Sequence, residues 1–151
     1  MTASVNRPHC SGVAWVAASA PANGLDAVAP VLAPFAARAV GAMRAHPFLV
    51  AGTGRTDTLL MRVVPDVASK GGAEALACAA VLDQGVGVAV KIADGGDRAA
   101  GPALVRALHL LDAVTADQLE ALAPVARRPL LGGGRQVGEL VAGFRLRRPR
   151  G

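Results

Sequence analysis

The chain has 151 residues, of which 52% are hydrophobic and 18% charged, with a formal net charge of +5. This suits one folded domain and excludes a disordered chain, and no run approaches the roughly 20 apolar residues of a membrane span. With 3 Phe, 1 Trp and no Tyr, a surface that stacks nucleobases on exposed rings is excluded too.

At the N-terminus, Arg7 and His9 precede the apolar stretch Gly12 to Ala18, and Ala18-Ser19-Ala20 has the outline of an A-x-A cleavage site. The stretch is short and mostly Ala and Gly, and Pro8 and Cys10 sit awkwardly beside it. The default expectation is therefore a cytoplasmic chain, with residues 1–24 a disordered or remnant segment ahead of the fold. Pro21 to Gly24 is a turn cluster.

From Leu25 to Arg44 the apolar residues Val28, Val31, Leu32, Phe35, Ala39 and Met43 recur at helical spacing on one face. Pro30 and Pro34 fit poorly inside a helix, so the helix proper is expected to start near Pro34, where proline is tolerated in a first turn. His46 to Gly54 turns the chain, and Thr56 or Asp57 caps a short helix running to Val63. Glu74 to Leu82 and Val86 to Ile92 read as two strands of a hairpin around Asp83-Gln84-Gly85. Asp94 to Asp97 ends the pair. Arg98 to Leu111 is a helix with Leu104, Leu108 and Leu111 on one stripe. Thr115 caps a short helix through Ala123, Gly132 to Gly134 is a loop, and Gln136 to Leu140 is an edge strand. The order predicts an α+β fold with a small antiparallel sheet packed with helices.

Positive charge is carried almost wholly by Arg, since Lys70 and Lys91 are the two lysines. In a chain rich in Ala, Gly and Pro this reads as GC-rich coding composition, not as a nucleic-acid or membrane footprint. The dense cluster Arg145, Arg147, Arg148 and Arg150 reads as a basic tail over residues 145–151.

Few residue patterns carry chemistry. Gly132-Gly133-Gly134 lacks the Gly-Lys-Ser/Thr of a phosphate loop and reads as a plain turn. His9, His46 and His109 have no metal-ligand spacing, and Cys78, inside an apolar run, reads as a small buried core residue. Two segments say more. In Ala51-Gly52-Thr53-Gly54-Arg55-Thr56-Asp57-Thr58, glycines, hydroxyls and an Arg converge at a helix N-terminus, an arrangement that serves equally as a carboxylate site or an ordinary helix start. In Lys70-Gly71-Gly72, a lysine stands at the mouth of a strand beside glycines that keep its approach open. A tuned proton carrier, a carboxylate ligand and a plain surface lysine all fit.

Several strings in series resemble the rhizobial-type L-asparaginase II family: Ala42-Met43-Arg44-Ala45-His46-Pro47, Val50 to Met61, Lys70-Gly71-Gly72-Ala73-Glu74, Gly87 to Gly95 with Arg98-Ala99, and Gly134 to Leu140. The resemblance covers about residues 25 to 141, within an asparaginase-like region bounded at 25–144. It implies a fold similar to part of a serine β-lactamase or glutaminase and hydrolysis of L-asparagine to L-aspartate and ammonia. By that resemblance Lys70, matching the lysine of a K-T-G-like element, is the catalytic candidate. Thr53, Arg55, Gly71 and Gly72 are then the substrate-binding candidates. The family carries zinc beside its substrate pocket, and Cys10 is the candidate ligand here.

The family's S-x-x-K nucleophile pair has no counterpart, since no Ser here is followed three residues later by Lys. The expectation is thus a C-terminal half, acting on a small amino-acid amide together with a complementary N-terminal half or within a homo-oligomer. A non-catalytic remnant or amino-acid-binding module of the same fold is the alternative. Such a half should leave apolar sheet and helix surface uncovered.

Overall fold

A computed structural model describes residues 13–19 and 29–146 of the chain. Cys10 and the basic residues from Arg147 onward lie outside the described residues. The elements run β1 (Val13–Ser19), α1 (Ala29–Ala45), α2 (Pro47–Ala51), α3 (Thr56–Val63), β2 (Val67–Gly72), β3 (Leu76–Val81), β4 (Val86–Ile92), a 3-10 turn (Asp97–Ala99), α4 (Ala100–Leu110), α5 (Ala116–Ala121), α6 (Ala123–Ala126), β5 (Arg128–Gly132) and β6 (Arg135–Leu140). The α+β expectation holds, and so do the hairpin and the Leu-rich helix at its centre.

Four strands form one antiparallel sheet in the order β1-β4-β3-β2, which leaves β2 at an edge. Alternation along the strands sends Ala77, Ala79 and Val81 of β3 and Val88, Val90 and Ile92 of β4 into the core. Helix α4 packs across β3 and β4, with Leu104 and Leu108 fully buried. The alanines on β3 leave room for it. Thr115 caps α5 as expected. Its side chain accepts from the Gln118 amide while the Gln118 side chain accepts from the Thr115 amide, a reciprocal capping box.

The structure departs from the sequence reading at several points. The helix expected near Pro34 begins at Ala29 and carries Pro34 inside. Pro34 forgoes one backbone bond there, early enough that the helix survives the loss. Phe35 and Ala39, expected on a core-facing stripe, are exposed. Pro47 opens a short helix, α2, where only a turn was expected. Residues 67–72 form a strand, and the strand expected from Glu74 starts at Leu76. The turn between them holds Glu74 and Ala75 at φ 53° and 56°, a left-handed conformation that periodicity does not reveal. Residues 136–140 belong to a separate two-stranded hairpin with β5, turned by Gly133 and Gly134, so they are not an edge of the main sheet. Cys78 is half-buried on the face opposite the core, because its register partner on β2 is Lys70, not a core residue. No helix among the described residues is long and apolar enough to cross a membrane.

Candidate functional site

The loop from Gly52 to Arg55 takes its shape from its ties to α3. Gly52 sits at φ 89°, ψ −172°, a region open in practice only to glycine. Its carbonyl accepts the Thr58 hydroxyl at 2.7 Å, and the same hydroxyl lies 3.2 Å from the Pro47 carbonyl. The buried Thr58 thereby ties α2 and the glycine loop to α3.

The residue at the N-terminus of α3 is Arg55, which makes no side-chain cap, and neither Thr56 nor Asp57 serves as one. Asp57 is instead only 9% exposed and reaches across to the edge strand β2. One carboxylate oxygen accepts from the Ser69 hydroxyl at 2.6 Å and the other from the Gly71 amide at 2.8 Å. A Cβ on Gly71 would stand 3.3 Å from that second oxygen, so the glycine makes room for the carboxylate. In the alternation of a strand Ser69 and Gly71 face α3, and Lys70 between them faces the other way. Its ammonium donates to the Gly71 carbonyl at 2.5 Å and is otherwise exposed.

These pieces border a cavity of about 600 Å³ at the end of the sheet. Arg55, Thr56 and Asp57 line it from α3, Lys70 to Gly72 from β2, and Arg128 from the base of the terminal hairpin. Gly101 lines it from the first turn of α4, where an added Cβ would meet the Thr56 hydroxyl at 2.6 Å. The first turns of α3 and α4 therefore approach each other at this cavity, and helix N-termini favour negative charge. Arg55 stands 3.6 Å from Asp97, also on the lining, with both side chains more than half exposed. Three cations and two carboxylates at one cavity suit a small ligand that carries a carboxylate and a second polar group.

Of the sequence-picked residues, Arg55, Lys70, Gly71 and Gly72 come together here, whereas Thr53 is exposed and not on the lining. Asp57 stands in the sequence within the candidate segment 51–58 and as a possible cap, with no site role of its own, and Arg128 and Asp97 carry no local signal. A second cavity of about 600 Å³, lined by Arg44, His46, Phe48 and Arg62 among others, holds none of the sequence-picked residues. Beside Lys70, on the neighbouring strand, burial pushes the Cys78 thiol above its ordinary pKa, and the negative charge of Asp57 pushes it further. Among the described residues no three His, Cys, Asp or Glu side chains gather where they could hold a metal ion, and the candidate ligand Cys10 lies outside those residues.

The family model of L-asparaginase II matches the chain over residues 11–142. The chain belongs to the L-asparaginase II family. No curated protein matches it.

Proposed function

We propose that this member of the L-asparaginase II family hydrolyses L-asparagine to L-aspartate and ammonia, as the C-terminal half of an active site completed by a second polypeptide or a second copy. The observation that carries this reading is the meeting of Lys70, Arg55 and Arg128 with the first turns of two helices around one cavity. In this reading Arg55 holds the substrate's carboxylate. Gly71 and Gly72 keep β2 free of side chains so that the amide can approach. Lys70 stabilises charge developing at the reacting carbonyl or eases proton transfer beside the nucleophile. A serine of an S-x-x-K element, supplied by the complementary half, attacks the amide carbonyl and expels ammonia, and water then releases aspartate. The four-stranded sheet with α4 across one face supports placing the fold with the serine β-lactamase-like proteins.

The second reading is a non-catalytic module that binds the amino acid. One observation favours it: Ser69, next in the chain to the cavity-lining Lys70, has its hydroxyl committed to Asp57 and is buried. The test is ammonia release from L-asparagine by the chain, alone and mixed with a polypeptide carrying the S-x-x-K half, with Lys70→Ala in parallel. Release lost by about 10²-fold or more in Lys70→Ala supports the enzyme. Binding of L-aspartate without release under either condition supports the module. Neither release nor binding overturns both.

A further inference from the structure

We propose that Asp57 is the positioning residue for Lys70, acting through the backbone on either side of it; the proposal rests on Lys70 being the working residue of the cavity. The carboxylate is 9% exposed and has no ion pair among the described residues. Both its contacts are to β2, one residue before Lys70 and one after: the Ser69 hydroxyl at 2.6 Å and the Gly71 amide at 2.8 Å. Among the described residues β2 is an edge of the sheet, and no described strand receives the outward Gly71 amide. Asp57 takes the place of such a strand. The carbonyl of the same Gly71 receives the Lys70 ammonium at 2.5 Å. The clamp thus fixes the backbone that orients the lysine, and among the described residues the lysine itself has no carboxylate partner.

Hydrogen-bond chemistry separates positioning from charge. In Asp57→Asn the amide oxygen can still accept from Gly71, and the amide nitrogen can donate to Ser69. The Ser69 hydroxyl then turns to the Cys78 carbonyl, which already lies 3.2 Å away. That variant keeps the clamp and loses the charge. Asp57→Ala loses both.

The experiment is limited acylation of the folded chain with an N-hydroxysuccinimide ester, read by peptide mass spectrometry. Lys70 and Lys91 are the two lysines, so Lys91 is an internal reference on the same molecule. The Lys70:Lys91 labelling ratio is expected to rise about threefold or more in Asp57→Ala, the weight of one net hydrogen bond, and to stay at the wild-type value in Asp57→Asn. An unchanged ratio in Asp57→Ala, or an equal rise in Asp57→Asn, overturns the proposal. Where circular dichroism shows Asp57→Ala unfolded, Gly71→Ala replaces it, because its Cβ would stand 3.3 Å from the carboxylate oxygen and press it away from the Gly71 amide. The same rise is expected, and no rise overturns the proposal. Labelling needs no turnover. A chain that releases no ammonia leaves this proposal standing, and an unchanged ratio leaves the amidase reading standing.

Discussion

The Gly71 amide donates to the Asp57 carboxylate at 2.8 Å, joining the free edge of the sheet to the first turn of α3. A Cβ at position 71 would stand 3.3 Å from that carboxylate oxygen, tighter than ordinary contact, so glycine eases the approach. Removing the acceptor leaves the edge amide short of a partner and the buried Ser69 hydroxyl with only the Cys78 carbonyl, 3.2 Å away. Asp57→Ala is expected to lower the unfolding free energy by about 1–3 kcal/mol, with Ser69→Ala nearer 1 kcal/mol because the Gly71 bond survives. Urea unfolding followed by circular dichroism measures both. Two variants as stable as the wild type would show that the clamp carries no weight.

The packing of α4 against α3 depends on a second glycine. A Cβ at Gly101 would stand 2.6 Å from the Thr56 hydroxyl and 3.1 Å from the Val125 carbonyl. The hydroxyl can rotate away, but the carbonyl is backbone and must shift. Gly101→Ala is expected to cost about 1–3 kcal/mol by overpacking, despite the better helix propensity of alanine. Adding Thr56→Ala should recover part of the loss, since one of the two contacts disappears. A calorimetric melting temperature equal to the wild type in Gly101→Ala would show that the two helices are free to part.

Cys78 makes a prediction in pH. Burial and the Asp57 charge both disfavour its thiolate, so its folded pKa lies above the ordinary value of 9.0. For a group raised in this way the stabilising contribution is complete below the unfolded value and is lost as pH rises through the folded one. The unfolding free energy should therefore decline above about pH 9, and Cys78→Ala should flatten that part of the profile. Alkylation by iodoacetamide at pH 8 should be slower at Cys78 in the folded chain than in urea. Equal rates would contradict the burial.

Half of this organisation was legible in the residues. The β3–β4 hairpin was readable because Val86, Val88, Val90 and Ile92 keep a strict alternation, and α4 because its leucines keep a helical one. The Thr115 cap was readable because a hydroxyl residue precedes a polar first turn, and the structure adds the reciprocal bond from Gln118. Strand β2 was not, since Ser69-Lys70-Gly71-Gly72 has no apolar alternation and is held in place by pairing with β3 and by the Asp57 clamp. The same long-range contact removed Asp57 from the capping role that its position suggested. Arg55, Lys70, Gly71 and Gly72 stood out in the sequence because glycines and cations cluster locally, and all four line one cavity. Arg128 and Asp97 were not, because they arrive at the cavity from distant parts of the chain.

Asp97 gives the sharpest test of what the cavity holds. Its carboxylate lies 3.6 Å from Arg55, and both groups are largely in water, so the pair contributes little to folding. For a ligand carboxylate that binds Arg55, Asp97 is a competitor and a source of repulsion. Asp97→Asn should therefore tighten L-aspartate binding by about 2–5-fold at low ionic strength, the scale of an exposed ion pair, with the gain shrinking as salt is added. Arg55→Ala should abolish binding in the same titration calorimetry. The opposite result is equally informative. If Asp97→Asn weakens binding, Asp97 is holding the ligand's ammonium, and the substrate lies with its amino group towards the 3-10 turn. If neither substitution changes the affinity, the carboxylate does not bind at Arg55 and the cavity reading fails.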